Sequence, residues 1–146
     1  VCRAANSRTW DALGDCYVEQ VEMVDRRTLG WDVVRDRASM VEQFQSWAAM
    51  SADMEISFEA LASDDEHIAT RFTAHGHSSS DLGGGVWELA LVLAASLCDG
   101  RIAQVELFDG DGDAAAVDRY AELRQTSIDA RGTPSVRKPP SGDGQM

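Results

Sequence analysis

The segment VWELALVLAASLCDGRIAQVELFD, residues 86–109, contains two apolar runs separated by the dipeptide Asp99-Gly100. Asp-Gly between two such runs is a strong signal for a two-residue β-hairpin, because this turn requires positive φ at both positions. We therefore predict strands over Val86–Cys98 and Arg101–Asp109. One flat sheet face cannot bury both sides of the longer strand, so we expect the antiparallel run to curl around helices.

The segments around this hairpin predict an α+β domain. Apolar residues at helical spacing predict helices over Thr9–Tyr17, Asp32–Met50 and Asp113–Gln125, with the end of an earlier helix at Val1–Ala5. Apolar runs bounded by turn residues predict strands over Val18–Arg27, Met54–Ala62 and His67–His77. We expect a domain over residues 1–126 and a flexible tail over residues 127–146, where all three prolines lie. Because the chain opens at Val1 within an apolar pattern, we expect it to be part of a longer chain.

Composition and charge restrict the class of partner. The chain has 146 residues, of which 44% are hydrophobic, so one globular domain is expected. Its net charge of −12 argues against nucleic acid and anionic membranes, which are bound through clustered Lys and Arg. No apolar run approaches the roughly 18–20 residues of a membrane span. Three cysteines without CxxC spacing favour a reducing cytoplasm over a disulfide framework.

A calcium-loop pattern in the chain is incomplete. Asp109, Asp111 and Asp113 have the spacing of the first three ligands, but Ala114 and Tyr120 stand where such a loop needs glycine and a bidentate glutamate. A strand-to-helix turn with Asp113 as the helix cap explains the same residues.

His75 and His77 are two apart on a predicted strand and share a face, an arrangement that suits zinc or copper. Glu88 and Asp81 could approach across the hairpin, but no third ligand has a convincing spacing, and surface histidines are the simpler interpretation.

The sequence also has no GxSxG, GxxxxGK[ST] or HExxH motif. We therefore predict no metal and no cofactor.

Asp25 is the candidate catalytic residue. It ends the strand in which Val21 and Met23 face the core, and the two-residue period of a strand places Asp25 on the same face. A buried carboxylate is costly unless it is paired or protonated, and a proton-transferring base needs such an environment. The alternative is a structural salt bridge with Arg26, Arg27 or Arg71.

Three further charged residues, Arg71, Glu88 and Glu106, lie inside apolar strands and could point inward by the same parity. Simple pairing through the hairpin turn places Leu93 opposite Glu106. Val92 and Glu106 would then lie on opposite faces unless a bulge intervenes.

The order of elements resembles the nuclear transport factor 2-like superfamily, and most closely its SnoaL-like branch, over about residues 1–123. The motifs that carry the resemblance are Trp10-Asp11-Ala12-Leu13, Val24-Asp25-Arg26-Arg27, Leu29-Gly30-Trp31, Asp99-Gly100-Arg101-Ile102 and Val105-Glu106-Leu107-Phe108-Asp109. The resemblance implies a cone-shaped α+β barrel, in which a curved antiparallel or mixed sheet wraps around about three helices. Domains of this branch occur alone and attached to bacterial regulatory proteins, so the resemblance does not imply one activity.

Ketosteroid isomerase is similar in this architecture, and its proton-transferring aspartate stands at a strand end before a turn. Asp25 matches that position. The positions of its two oxyanion-hole donors correspond to Val1 and Val92, which cannot donate hydrogen bonds from their side chains. The resemblance therefore implies a base at Asp25 but no side-chain donors to stabilise an enolate.

Limonene epoxide hydrolase, also similar in architecture, activates water with an Asp-Arg-Asp set. Arg71 matches the arginine and Glu106 could replace one aspartate, but the other aspartate corresponds to Thr73. The set is therefore incomplete in this chain.

The leading functional hypothesis is a domain that binds a small apolar or aromatic molecule in an apolar pocket and forms a homodimer through the outer face of its sheet. An accessory or regulatory role fits the same hypothesis. An isomerase or cyclase with Asp25 as general base and a non-catalytic dimerisation module are the alternatives. The residues expected around the pocket are Tyr17, Met23, Trp31, Arg71, His75, Glu88, Glu106 and Phe108.

Overall fold

The computed structural model describes residues 1–27, 30 and 32–132, and these residues form an α+β fold. The strands are β1 (Tyr17–Asp25), β2 (Glu55–Ser63), β3 (His67–His77), β4 (Val86–Cys98) and β5 (Arg101–Asp109). The helices are α1 (Cys2–Asn6), α2 (Trp10–Gly14), α3 (Arg37–Met50) and α4 (Asp113–Gly132), with a short 3-10 turn at Ser80–Leu82. Trp31 and residues 133–146 lie outside the described residues.

The five strands form one mixed sheet in the order β1-β5-β4-β3-β2. β1 runs parallel to β5, and the other neighbours are antiparallel. The predicted α+β class with a mixed sheet is confirmed, but the sheet has two edges, β1 and β2, and does not close into a barrel. The predicted bounds of β3, β4 and β5 are also confirmed. Asp99 and Gly100 have φ of 51° and 78°, as a two-residue hairpin turn requires.

A bulge in the β4–β5 hairpin determines which residues of β5 face inward. The register shifts between Ser96 and Leu97, so that Leu93 lies opposite Leu107 and Ala94 opposite Glu106. Without this shift Leu93 would lie opposite Glu106. The bulge predicted as the alternative is therefore present, and it places Glu106 on the same face of the sheet as Val92.

The inner face of the sheet, which carries Phe72, Leu91 and Leu107, packs against α1, α2 and α3 to form the main core. Met40 and Phe44 of α3 are buried there. The predicted start of this helix at Asp32 was too early, because residues 32–36 are not helical. Val34 exchanges two backbone hydrogen bonds with Met23 of β1, and Asp36 caps α3 by accepting a hydrogen bond from the Ser39 amide at 2.7 Å.

The outer face of the sheet, which carries Ala69, Val92 and Glu106, packs against α4. Ala116 and Tyr120 of α4 are buried against Ala69 and Val92. The helix continues past its predicted end to Gly132, so residues 127–132 of the predicted tail are helical.

The position of α4 bears on the predicted dimer. α4 covers parts of β3 and β4 on the face proposed for the homodimer, so a partner could reach only the rest of that face. The homodimer itself stays a prediction. Among the described residues, no helix is both long and apolar enough to cross a membrane.

A substitution at Gly76 tests how tightly β3 packs against the end of α3. A Cβ at Gly76 would overlap Ser51 Oγ and lie 3.2 Å from Met54 Cα. We expect Gly76→Ala to lower the free energy of unfolding by about 1–3 kcal/mol, because the neighbouring backbone has to shift. Urea denaturation measures this change.

Gly85→Ala is the matched control, because open space surrounds a Cβ at Gly85. Its effect should stay within about 0.5 kcal/mol. Equal losses of stability in the two variants would contradict the tight packing at Gly76.

Candidate functional site

The inner face of the sheet and α3 enclose a cavity of about 60 Å³. Its lining residues come from α3 and all five strands, and all but three are purely apolar. They are Tyr17, Met23, Met40, Gln43, Phe44, Trp47, Phe58, Phe72, Leu91, Leu93, Val105 and Leu107. Pockets for drug-sized ligands measure roughly 300–1,000 Å³, so this cavity holds only a small molecule without rearrangement.

Aromatic side chains of the protein itself pack against one another beside this cavity. The Phe44 and Trp47 rings meet edge to face with their centroids 5.2 Å apart, and Phe58 and Phe72 are also 5.2 Å apart. Trp47 reaches Phe72 at 6.1 Å, which links the two pairs. Such pairs contribute about 0.5–1.5 kcal/mol each beyond the burial of their area. A larger ligand would have to displace one of these rings.

Tyr17 provides a hydroxyl group on this apolar wall. The residue is 3% exposed, and burial raises the pKa of its phenol well above the usual range, so it remains a protonated donor at neutral pH. Its hydroxyl makes no hydrogen bond to any residue that the structure describes. This hydroxyl is not among the fully buried atoms that lack a partner, so it retains some contact with solvent and is available to a ligand.

Asp25 lies on the inner face, in register with Leu107 of β5, and its side chain is 0% exposed. Arg27 donates from Nε to Asp25 Oδ1 at 2.9 Å and from Nη2 to Oδ2 at 2.6 Å, and its amide also donates to Oδ1 at 3.0 Å. The structure thus contains the salt bridge with Arg27 that was the structural alternative for this residue. The same hydrogen bonds raise the pKa of the Arg27 guanidinium. Asp25 does not line the cavity.

Most of the other predicted site residues point away from the cavity. Because side chains alternate along a strand, Arg71 of β3 and Glu106 of β5 lie on the outer face. Arg71 forms an ion pair with Asp113 at the start of α4. The Glu106 side chain is 2% exposed and accepts hydrogen bonds from Arg26 at 3.2 Å and from Arg119 at 2.5 Å.

Phe108, His75 and Glu88 also lie on the outer face. Phe108 packs against the apolar cluster under α4. His75 and Glu88 are exposed neighbours on β3 and β4, and His75 Nε2 lies 3.7 Å from Glu55 Oε2. Of the described residues in the predicted pocket set, the structure therefore brings only Tyr17 and Met23 to the cavity. Trp31 lies outside the described residues.

Sequence reasoning missed Gln43 and treated the aromatic residues of α3 as core alone. Gln43 and Trp47 are four residues apart, so they share a face of α3, and this spacing was the available signal. Phe58 and Phe72 are partners in register across β2 and β3. That pairing could not be inferred before the register of the two strands was known.

The paired state of Asp25 predicts its effect on stability. We expect Asp25→Asn to lower the free energy of unfolding by about 2–4 kcal/mol, because a buried Arg27 contact loses its charge partner. Chemical denaturation at pH 7 measures the change. Asp32→Asn, which alters an exposed carboxylate near α3, should have an effect within about 0.5 kcal/mol. Unchanged stability of Asp25→Asn would show that the pair is not structural.

Known families and structures share this fold. The family model described as a SnoaL-like domain matches residues 1–105. No curated protein matches the chain. A hypothetical protein with a ketosteroid isomerase-like fold from Catenulispora acidiphila, in complex with trimethylamine, is 12% identical at a TM-score of 0.60, with 82% of this chain and 88% of that chain covered.

Two further structures are also similar in fold. IdmH, a candidate polyketide cyclase from Streptomyces antibioticus, is 20% identical at a TM-score of 0.60, with 80% of this chain and 92% of that chain covered. The epoxide hydrolase/cyclase-like enzyme SalBIII, which has a role in pyran ring formation in the polyether salinomycin, is 23% identical at a TM-score of 0.60, with 76% and 85% covered. At these identities the likeness concerns the fold alone. Because the family model spans 105 of the 146 residues, the chain belongs to the SnoaL-like domain family.

Proposed function

We propose that this domain binds a small, mainly apolar molecule that carries one hydrogen-bond acceptor. The observation that carries the proposal is Tyr17, a buried residue that lines the mostly apolar cavity and whose hydroxyl has no hydrogen-bond partner among the described residues. A ligand carbonyl or ether oxygen would accept this hydrogen bond. Apolar walls with a few convergent polar groups are the usual composition of small-molecule sites.

The volume and lining of the cavity limit the size of the ligand. About 10–15 Å³ of such volume is needed to hold one water molecule, so 60 Å³ corresponds to a compact ligand of few heavy atoms. The trimethylamine bound by the Catenulispora acidiphila protein is a molecule of comparably small size. Larger aromatic ligands would require Trp47, which is half-buried beside Gln43, to move outward.

Cyclopentanone and cyclopentane form a matched pair of probes, because they share a ring size and differ in the carbonyl. We expect cyclopentanone to shift the methyl NMR signals of Met23 and Met40, which line the cavity. Tyr17→Phe should weaken cyclopentanone binding about fivefold, which corresponds to about 1 kcal/mol for one hydrogen bond. The same variant should leave cyclopentane binding unchanged.

Val105→Phe is the control for the location of the site, because Val105 lines the cavity and a larger ring would fill it. We expect this variant to lose both probes. Absence of any methyl shift in the wild-type protein at saturating probe would refute the proposed binding function. If Val105→Phe binds the probes as well as the wild-type protein does, the probes bind at another place on the protein.

Proton transfer by Asp25 is a second candidate function. The observation that favours it is the full burial of the Asp25 side chain on the same face as the cavity-lining residues Met23 and Leu107. A base next to a bound ketone would exchange the hydrogens beside its carbonyl for deuterium. Arg27 would first have to release one carboxylate oxygen.

Deuterium exchange into cyclopentanone in heavy water tests this second candidate. We expect the wild-type protein to exceed the buffer rate and Asp25→Asn to lose this excess, while Asp32→Asn keeps it. Exchange that persists in a folded Asp25→Asn protein would exclude Asp25 as the base. Binding without any exchange would leave the binding proposal intact and eliminate the catalytic one.

A further inference from the structure

A second group of polar side chains lies on the outer face, where α4 crosses the start of β3. Ser127 Oγ is 3.0 Å from His67 Nε2, and His67 Nδ1 is 3.1 Å from Asp64 Oδ1. Serine, imidazole and carboxylate thus form a continuous hydrogen-bonded chain. The cavity of the inner face shares none of these residues.

The turn between β2 and β3 holds Asp64 in place. Burial alone would raise the pKa of Asp64, but the backbone amides of Glu66 and His67 donate to Oδ1 at 2.8 Å each and, with the imidazole, hold this pKa below its usual range. Tyr120 donates from its hydroxyl to Oδ2 at 3.4 Å. The carboxylate is therefore charged and oriented at neutral pH.

This carboxylate determines which nitrogen of His67 carries the proton. A charged carboxylate accepts only, so neutral His67 carries its proton on Nδ1 and leaves Nε2 as an acceptor. Ser127 then donates its hydroxyl proton to Nε2. In acyl transfer, serine is activated by a neighbouring base that accepts its proton, and a third group orients that base. Ser127, His67 and Asp64 have this arrangement.

We propose that Ser127 is the nucleophile of a second site, which cleaves short-chain acyl esters with His67 as general base. Ser127 Oγ attacks the ester carbonyl carbon while its proton passes to His67 Nε2. The bond to the alcohol oxygen then breaks, and the alcohol leaves with that proton. Water, deprotonated by His67, attacks the acyl group, so that the carboxylic acid is released and Ser127 is restored.

Two arginines flank Ser127 on α4 and would stabilise the negative charge on the carbonyl oxygen. Arg124 precedes it by three residues and Arg131 follows it by four, so all three share one face of the helix. Arg124 Nε lies 3.7 Å from Asp64 Oδ2, and Arg131 forms an ion pair with Glu66. Their side chains are 58% and 64% exposed, so each guanidinium retains further N–H donors for the carbonyl oxygen. Such donors supply the electrostatic stabilisation that acyl transfer requires. Ser127 itself is half-buried and His67 is buried, which limits the acyl group to a short one.

p-Nitrophenyl acetate tests the site, because acylation releases a coloured phenolate. We expect a burst of one phenolate per protein, and peptide mass spectrometry should locate one added acetyl group on Ser127. Ser127→Ala should abolish the burst and the modification.

Thr126→Val is the matched control, since the Thr126 hydroxyl donates to the Glu122 carbonyl of its own helix. It should keep the full burst. Asp64→Asn retains an oxygen for the backbone amides but loses the charge that orients His67, so it should slow acylation by at least about tenfold. Acetylation of Ser127 that survives in folded His67→Gln protein, or no acetylation in the wild type, would overturn the proposal.

Discussion

The bulge in the β4–β5 hairpin is the constraint on which both faces of the sheet depend. The shift between Ser96 and Leu97 moves the register of β5 by one residue relative to β4. Side chains alternate along a strand, so a shift of one residue determines whether Leu107 or Glu106 faces the core. With the bulge, Leu107 lines the cavity and Glu106 meets Arg119 of α4. Without it, a buried carboxylate would lie among the aromatic side chains.

The two faces consequently differ in chemistry. The inner face has apolar and aromatic side chains that pack around a small cavity, and its polar groups are few. The outer face carries charged and polar partners for α4, from the Arg71–Asp113 pair at one end to the His67–Ser127 contact at the other. A long helix that is held by polar contacts at both ends can present oriented side chains without a large apolar stripe. The proposed ester-cleaving site is one consequence of that arrangement.

Tyr17 and Asp25, at opposite ends of β1, show how neighbours determine what a buried polar group does. Asp25 is satisfied by Arg27, and a satisfied ion pair stabilises the local structure. Tyr17 lines a mostly apolar cavity, and its hydroxyl makes no hydrogen bond to a described residue, so it retains its capacity to donate. A polar group on a mostly apolar wall fixes the orientation of a ligand in small-molecule sites. This contrast is why the binding proposal rests on Tyr17.

The sequence by itself determined the fold class, the bounds of β3, β4 and β5 and the hairpin turn, because these follow from local periodicity and from the φ values that Asp99 and Gly100 permit. It also placed Tyr17 and Met23 at the site. Only the tertiary structure decided the register of β5, the partner of Asp25 and the length of α4. Each of these depends on groups distant in sequence. The stripe of α4 that faces the sheet is polar at Asp113 and Ser127, so apolar periodicity could not show where the helix ends.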